Sequence, residues 1–203
     1  MLRYLRFVPR MWRSDINDAV VDLVAPQQGE AVLDIGAGMG AGAVPAAKLG
    51  ANVTAIEPTP FLRQVLSLRA RVQPKGRSIA VIDAAAEQMR VPDATIDAVW
   101  AVNTMHHWID PRQGVAEIAR VLTPGGRVVL VDEDFDDPAH PEHEKFVGRH
   151  QDDGDGGHSH GFTMVDASEM GDLLRTAGLV DIEANARQLI GRPVLAVQGR
   201  RPN

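Results

Sequence analysis

Three glycines spaced by single residues, Gly36, Gly38 and Gly40, follow the apolar run Ala31–Ile35, and a carboxylate, Asp34, sits just before them. Bare backbone of this kind lets a ligand approach the main chain, and the helix start that follows offers it free N–H groups. A second carboxylate, Glu57, ends the next apolar run, where it can accept hydrogen bonds from both hydroxyls of a ribose. The spacing is off the dinucleotide pattern G-x-G-x-x-G, although Gly42 and Glu57 keep a nicotinamide or flavin nucleotide in contention. Asp83 ends a third apolar run, and His106 and His107 follow a fourth. Imidazole exchanges a proton near neutral pH, so these two histidines are the candidates for a general base.

Residues this far apart in the chain meet only if the elements between them alternate in a regular way. Ser14 can cap a helix whose Ile16, Val20, Leu23 and Val24 share one face and which ends by Pro26. "AVLDI" reads as a buried strand, "AGAVPAAKLG" as a helix closed by Gly50, and "NVTAIE" as the next strand. A helix over "PFLRQVLSLRAR", the strands "SIAVID" and "IDAVWAVN", and a helix with Val115, Ile118, Ala119 and Leu122 on one stripe come next. "TPGG" turns the chain into "RVVLVDED"; Asp166 and Glu169 then cap a helix that Gly178 stops, and two strands, "LVDIEANA" and "PVLAVQGR", close the sequence. Apolar strands separated by helices predict an α/β fold: a doubly wound, Rossmann-like, seven-stranded and mostly parallel sheet with helices on both faces.

At 203 residues and 44% hydrophobic content, one domain is expected. It divides into an N-terminal arm over 1–13, a core over 14–132, a His- and Asp-rich segment over 133–162 and a C-terminal helix and strands over 163–203. The absence of cysteine excludes disulfides, thiolate metal sites and a cysteine nucleophile. A net charge of −6 argues against nucleic acid as the main partner. "MLRYLRFVPRMWR" interleaves four arginines with apolar residues, which denies it the apolar stretch of a secretory signal, and no later run approaches membrane-spanning length. A cytoplasmic protein without stable membrane insertion is expected. The basic arm can lie on a membrane surface, pack over a ligand cleft or bury itself in a homodimer.

Taken together, "VLDIGAGMG", "IEP", "IDAAAEQMRVPDATIDAVWAVNTMHHW" and "EIARVLTPGGRVVLVD" resemble the small bacterial class I S-adenosylmethionine-dependent methyltransferases. The resemblance runs from about Gly29 to Asp132. It implies that Gly36, Gly38 and Gly40 pass under the methionine part of S-adenosylmethionine and that Asp34 holds the amino group. It implies as well that Glu57 binds the ribose hydroxyls with Pro58 beside the adenine, that Asp83 and the Ala84 N–H meet the adenine edge, and that the Ala101 carbonyl completes the site. A nicotinamide oxidoreductase would share the glycines and Glu57 but gives no reason for Asp34, "IDAAAE" and "TPGG" together. A non-catalytic cofactor-binding protein would keep all of these and lack an acceptor pocket.

Methyl transfer asks mainly for in-line positioning, plus a base where the nucleophile is a neutral hydroxyl. His107, just before the "WIDP" turn, is favoured over His106. The segment 133–162 carries five of the seven histidines and is long enough to be a lid or a solvated acidic loop. Trp108 and, from this segment, His143, His150, His158 and His160 are the candidates to meet a small-molecule acceptor. Low aromatic content and the wealth of Asp, Glu and His point to O-methylation of a polyhydroxylated molecule such as a saccharide. "VDEDFDD" and the later histidines offer ligands to Mg²⁺, yet no spacing matches a recognised metal site, and none is assigned.

Overall fold

The computed structural model describes residues 12–146 and 166–203. Its centre is a seven-stranded sheet of β1 (Ala31–Ile35), β2 (Asn52–Ile56), β3 (Ile79–Ile82), β4 (Ile96–Val102), β5 (Leu122–Glu133), β6 (Val180–Leu189) and β7 (Arg192–Arg200). The strands lie in the order β3-β2-β1-β4-β5-β7-β6, with β1 to β5 parallel and β7 antiparallel to both of its neighbours. The expected doubly wound α/β sheet is therefore present. The direction of winding reverses between β1 and β4, and in such sheets ligands bind at the carboxyl ends of the strands beside that reversal.

Alternation along each strand explains the two layers of helices. Val32 of β1, Val53 of β2, Trp100 of β4 and Val129 of β5 face α1 (Asp15–Val24), α2 (Ala43–Leu49) and α3 (Pro60–Val72). Leu33, Val99 and Leu130 face the other way, onto α4 (Pro111–Val121) and α5 (Ala167–Thr176). Helix starts follow the capping chemistry read from the sequence: Ser14 accepts from Asn17 N, and Asp166 from Ser168 N.

Three local readings are corrected. Val21, rather than Leu23, completes the buried face of α1 with Ile16, Val20 and Val24, and Leu23 is exposed. At about 100° per residue the stripe turns toward Val21, leaving Leu23 at its edge. "TPGG" makes no turn between elements; it bulges within β5, where Leu122 pairs with Ile96 and Arg127 with Ala98. Leu122 therefore opens the strand rather than closing the stripe of α4. Finally, the chain after β5 begins as ordered turns and a helical turn, His143–Phe146, rather than as a featureless loop. Among the described residues, no helix is long and apolar enough to cross a membrane.

Candidate functional site

The turn after β1 lies at the carboxyl edge of the sheet beside the reversal. Its glycines adopt positive φ, and a side chain on Gly36 would occupy the space of Thr104, which follows β4. Two groups hold the turn from below. Glu57, only 4% exposed at the end of β2, accepts from Gly38 N at 2.9 Å and from Thr59 N at 2.8 Å. Arg69 of α3, also buried, donates to the Met39 carbonyl at 2.9 Å. Burial and the neighbouring Arg13 hold the Arg69 guanidinium below its ordinary pKa.

Asp34 points to the other side of the same turn, toward the start of α2. Its carboxyl is pushed up to about 8, first because burial strips it of water and further because Glu57 is near; the Trp100 indole and the Ala43 N–H oppose this. The opposition is incomplete. Asp34 Oδ2 and Trp100 Nε1 are both buried without a hydrogen-bond partner of normal geometry. A Cβ on Gly42 would sit 3.1 Å from Asp34 Oδ2 and 2.8 Å from Trp100 Nε1, so only glycine leaves room at this helix start.

Pro58, Ala84, Ala85 and Ala86 line a pocket of about 60 Å³ together with Ile35, Gly36, Glu87, Thr104, His107 and Trp108. The turns after β2 and β3 are joined by Arg63, whose guanidinium donates to the Glu57 carbonyl, the Pro58 carbonyl and Asp83. Ala101 lies within the sheet, paired to Ile35 and Leu130, and is absent from the pocket lining. Gly38, Gly40, Glu57 and Asp83 do not line the pocket.

The two histidines part company. His107 is exposed and lines the pocket. The His106 side chain is largely buried, with Nδ1 2.9 Å from Asp132 Oδ2, which places the ring proton on Nδ1. Asp132 also accepts from the backbone of Thr104 and His106, so it fixes the turn that follows β4. The rings of His106 and His107 lie 4.0 Å apart. Glu87 holds the next stretch by accepting from Ile109 N at 2.7 Å and Asp110 N at 3.2 Å, and the Trp108 ring packs against Gly114 of α4.

Beyond β5, the acids and histidines turn inward. Glu133 accepts from Asn103 and Arg192 and meets His140 Nε2 at 3.2 Å. His140 Nδ1 accepts from Glu142 N, leaving the ring proton on Nε2. His143 Nδ1 contacts the Phe135 carbonyl at 2.9 Å. Among the described residues no group of three or more His, Asp or Glu is arranged to hold a metal, which removes the support for Mg²⁺ at "VDEDFDD": Asp132 and Glu133 are engaged by protein donors. His150, His158 and His160 lie outside the described residues. Arg63, Arg69 and Glu87 shape the site and escaped the sequence reading, because a charged residue on a helix or turn reads as solvated until its partner is known; Asp132 was read only as a possible metal ligand.

This strand order, with a glycine turn at the winding reversal, defines a Rossmann-like fold, and comparison narrows it. A methyltransferase domain family matches residues 33–130. A Mycobacterium tuberculosis methyltransferase of uncharacterised function is 36% identical over 111 residues, covering 55% of this chain and 43% of its own. An O-methyltransferase of Penicillium expansum is 32% identical over 174 residues, covering 81% and 59%. Phosphoethanolamine N-methyltransferase 2 of Haemonchus contortus, solved with phosphomonomethylethanolamine and S-adenosylhomocysteine, superposes with a TM-score of 0.73 at 15% identity, covering 94% of this chain and 53% of that one. The match over residues 33–130 and these likenesses support a class I S-adenosylmethionine-dependent methyltransferase. It spans less than half the length of the mycobacterial relative.

Proposed function

We propose that this chain binds S-adenosylmethionine and transfers its methyl group to a hydroxyl of a small polar acceptor, with saccharides as the first class to test. One observation carries the reading: a single pocket joins Gly36, Pro58 and Ala84, expected on the cofactor side, to His107 and Trp108, expected on the acceptor side. The residues present fit the cofactor. Asp34 offers a buried carboxyl oxygen without a hydrogen-bond partner, and the glycine turn offers a cradle that one Cβ would fill. When bound, S-adenosylmethionine supplies a methyl group already activated by its sulfonium. The chain's own contribution is then to bind and orient: Glu57 and Asp83 hold the nucleoside end, and the glycine turn holds the methionine end. Trp108 Nε1, buried without a partner, can donate to the oxygen of an acceptor hydroxyl while His107 takes its proton. O-methylation is favoured by the likeness to the Penicillium O-methyltransferase.

Ligand-induced stabilisation tests the cofactor part. S-adenosylhomocysteine should raise the Tm, NAD and NADP should not, and Glu57→Ala should lose the response. A Tm raised by NAD alone overturns the reading. Incubation with a labelled methyl donor and a panel of sugars, phenols, amines and carbon acids then tests the acceptor; label recovered only in amines or carbon acids removes the hydroxyl assignment.

A further inference from the structure

We propose that Arg63 is the positioning residue that presents Asp83 to the six-position of the cofactor's purine and thereby sets a preference for adenine over a six-oxo purine. The inference rests on the S-adenosylmethionine reading above.

A single guanidinium spans two turns of the site. Arg63 Nη1 donates to the Glu57 carbonyl at 2.8 Å and to the Pro58 carbonyl at 2.9 Å, while Nη2 donates to Asp83 Oδ2 at 3.0 Å. The Asp83 side chain is 63% exposed. An ion pair this open contributes little to folding stability, about 0–1 kcal/mol, so stability is a poor account of why three acceptors converge on one arginine. Geometry is a better one. By taking Oδ2, Arg63 holds the plane of the carboxylate and leaves Oδ1, on a largely exposed side chain, open to accept from a ligand. The next residue, Ala84, lines the pocket together with Pro58, whose carbonyl the same guanidinium holds.

The chemistry that such a carboxylate selects follows from its lone pairs. An adenine presents an amine at position six and can donate to Oδ1, whereas a hypoxanthine presents a carbonyl oxygen whose lone pairs face the carboxylate. A site that must pair a substrate N–H rejects the analogue that lacks it. Without Arg63, Asp83 on its exposed turn is free to rotate into water, and the selection fades even though the carboxylate remains.

Calorimetric titration of the full chain with S-adenosylhomocysteine and S-inosylhomocysteine measures this directly. The native protein should prefer the adenine form by about tenfold or more, in line with one charge-assisted hydrogen bond. Arg63→Met should reduce the preference to about threefold or less, Asp83→Ala should do the same, and the double variant should be no worse than either single one, because both remove one interaction. Arg63→Lys should recover part of the preference. The Tm without ligand should move by no more than about 2 °C in Asp83→Ala, which loses only the exposed pair, and by more in Arg63→Met, which also loses the two carbonyl hydrogen bonds. An Arg63→Met protein that keeps the native preference, or single losses that simply add, overturns the inference while leaving the cofactor reading intact. A native protein that binds neither compound overturns both.

Discussion

Asp34 shows how a single side chain can be held at odds with its surroundings. Its carboxyl is raised to about 8 by burial, so the folded chain keeps a proton that the unfolded chain releases above roughly pH 4. Between those values the unfolded state binds fewer protons than the folded one, and stability falls as pH rises, by roughly 1.4 kcal/mol per pH unit. Asp34→Asn removes this dependence. Its stability relative to the native chain should therefore climb from pH 5 to pH 8 in parallel urea titrations, while its Tm response to S-adenosylhomocysteine disappears. Equal pH slopes for the two proteins would show that Asp34 does not titrate in this window. The histidines divide in the same way. His107→Ala should cost on the order of 10²-fold in turnover with little change in cofactor affinity. His106→Ala should cost less in turnover and more in stability, because it leaves Asp132 short of a buried partner. The places of Asp34 near the end of β1 and of His107 after β4, both at the carboxyl edge of the sheet, were legible in the sequence. That His106 belongs to Asp132 was not, since 26 residues separate the two in the chain.

Elements were more legible than contacts, because periodicity and caps are local. β1, β2 and β4 follow from apolar runs, and α2 ends at Gly50 with a φ of 101°, as a glycine after a helix should. What escaped was set by neighbours. The C-terminal strands were expected, but their tight turn over Ile190 and Gly191, both at positive φ, carries no Asn-Gly or Asp-Gly signal, and a β-branched residue rarely takes that conformation. The bulge in β5 is likewise imposed by pairing to β4 and invisible in "TPGG" itself. At this scale the glycine turn is the decisive element. Gly36→Ala must place a methyl group at a φ of 67° against Thr104, a strain of about 1–3 kcal/mol together with a displaced turn. The expected outcome is a folded protein with a lower Tm and no response to S-adenosylhomocysteine. Gly36→Ala/Thr104→Ala should regain only part of either, because the Thr104 Cβ itself stands 2.8 Å from the new methyl position. Full recovery would show that the backbone conformation was never the constraint.

Across the whole molecule, the parallel half that carries the site and the antiparallel C-terminal hairpin are locked together at Glu133. This carboxylate, 2% exposed, receives Arg192 of β7 at 2.7 Å and Asn103 at the end of β4, while Arg192 also reaches Asp15 of α1 and His140 anchors the chain that leaves β5. The pairing holds the Arg192 guanidinium above its ordinary pKa. The segment after β5 reads from sequence as an acidic loop because nothing in "VDEDFDD" announces a partner 59 residues away. Its first carboxylates are instead the fastening between site and hairpin. Breaking a buried pair from one side is costly, while replacing both partners by uncharged groups of similar shape is much less so. Arg192→Met should therefore lower the unfolding free energy by about 3 kcal/mol or more, read from the urea midpoint at unchanged slope. Adding Glu133→Gln should restore a large part, since the carboxamide keeps its contact with Asn103 without a buried charge. Amide exchange should separate this fastening from a merely local one: in Arg192→Met, protection should fall at the backbone N–H groups of Asp134, Asp137 and His140 as well as in β7, whereas loss confined to β7 would mean that Glu133 does not couple the two halves.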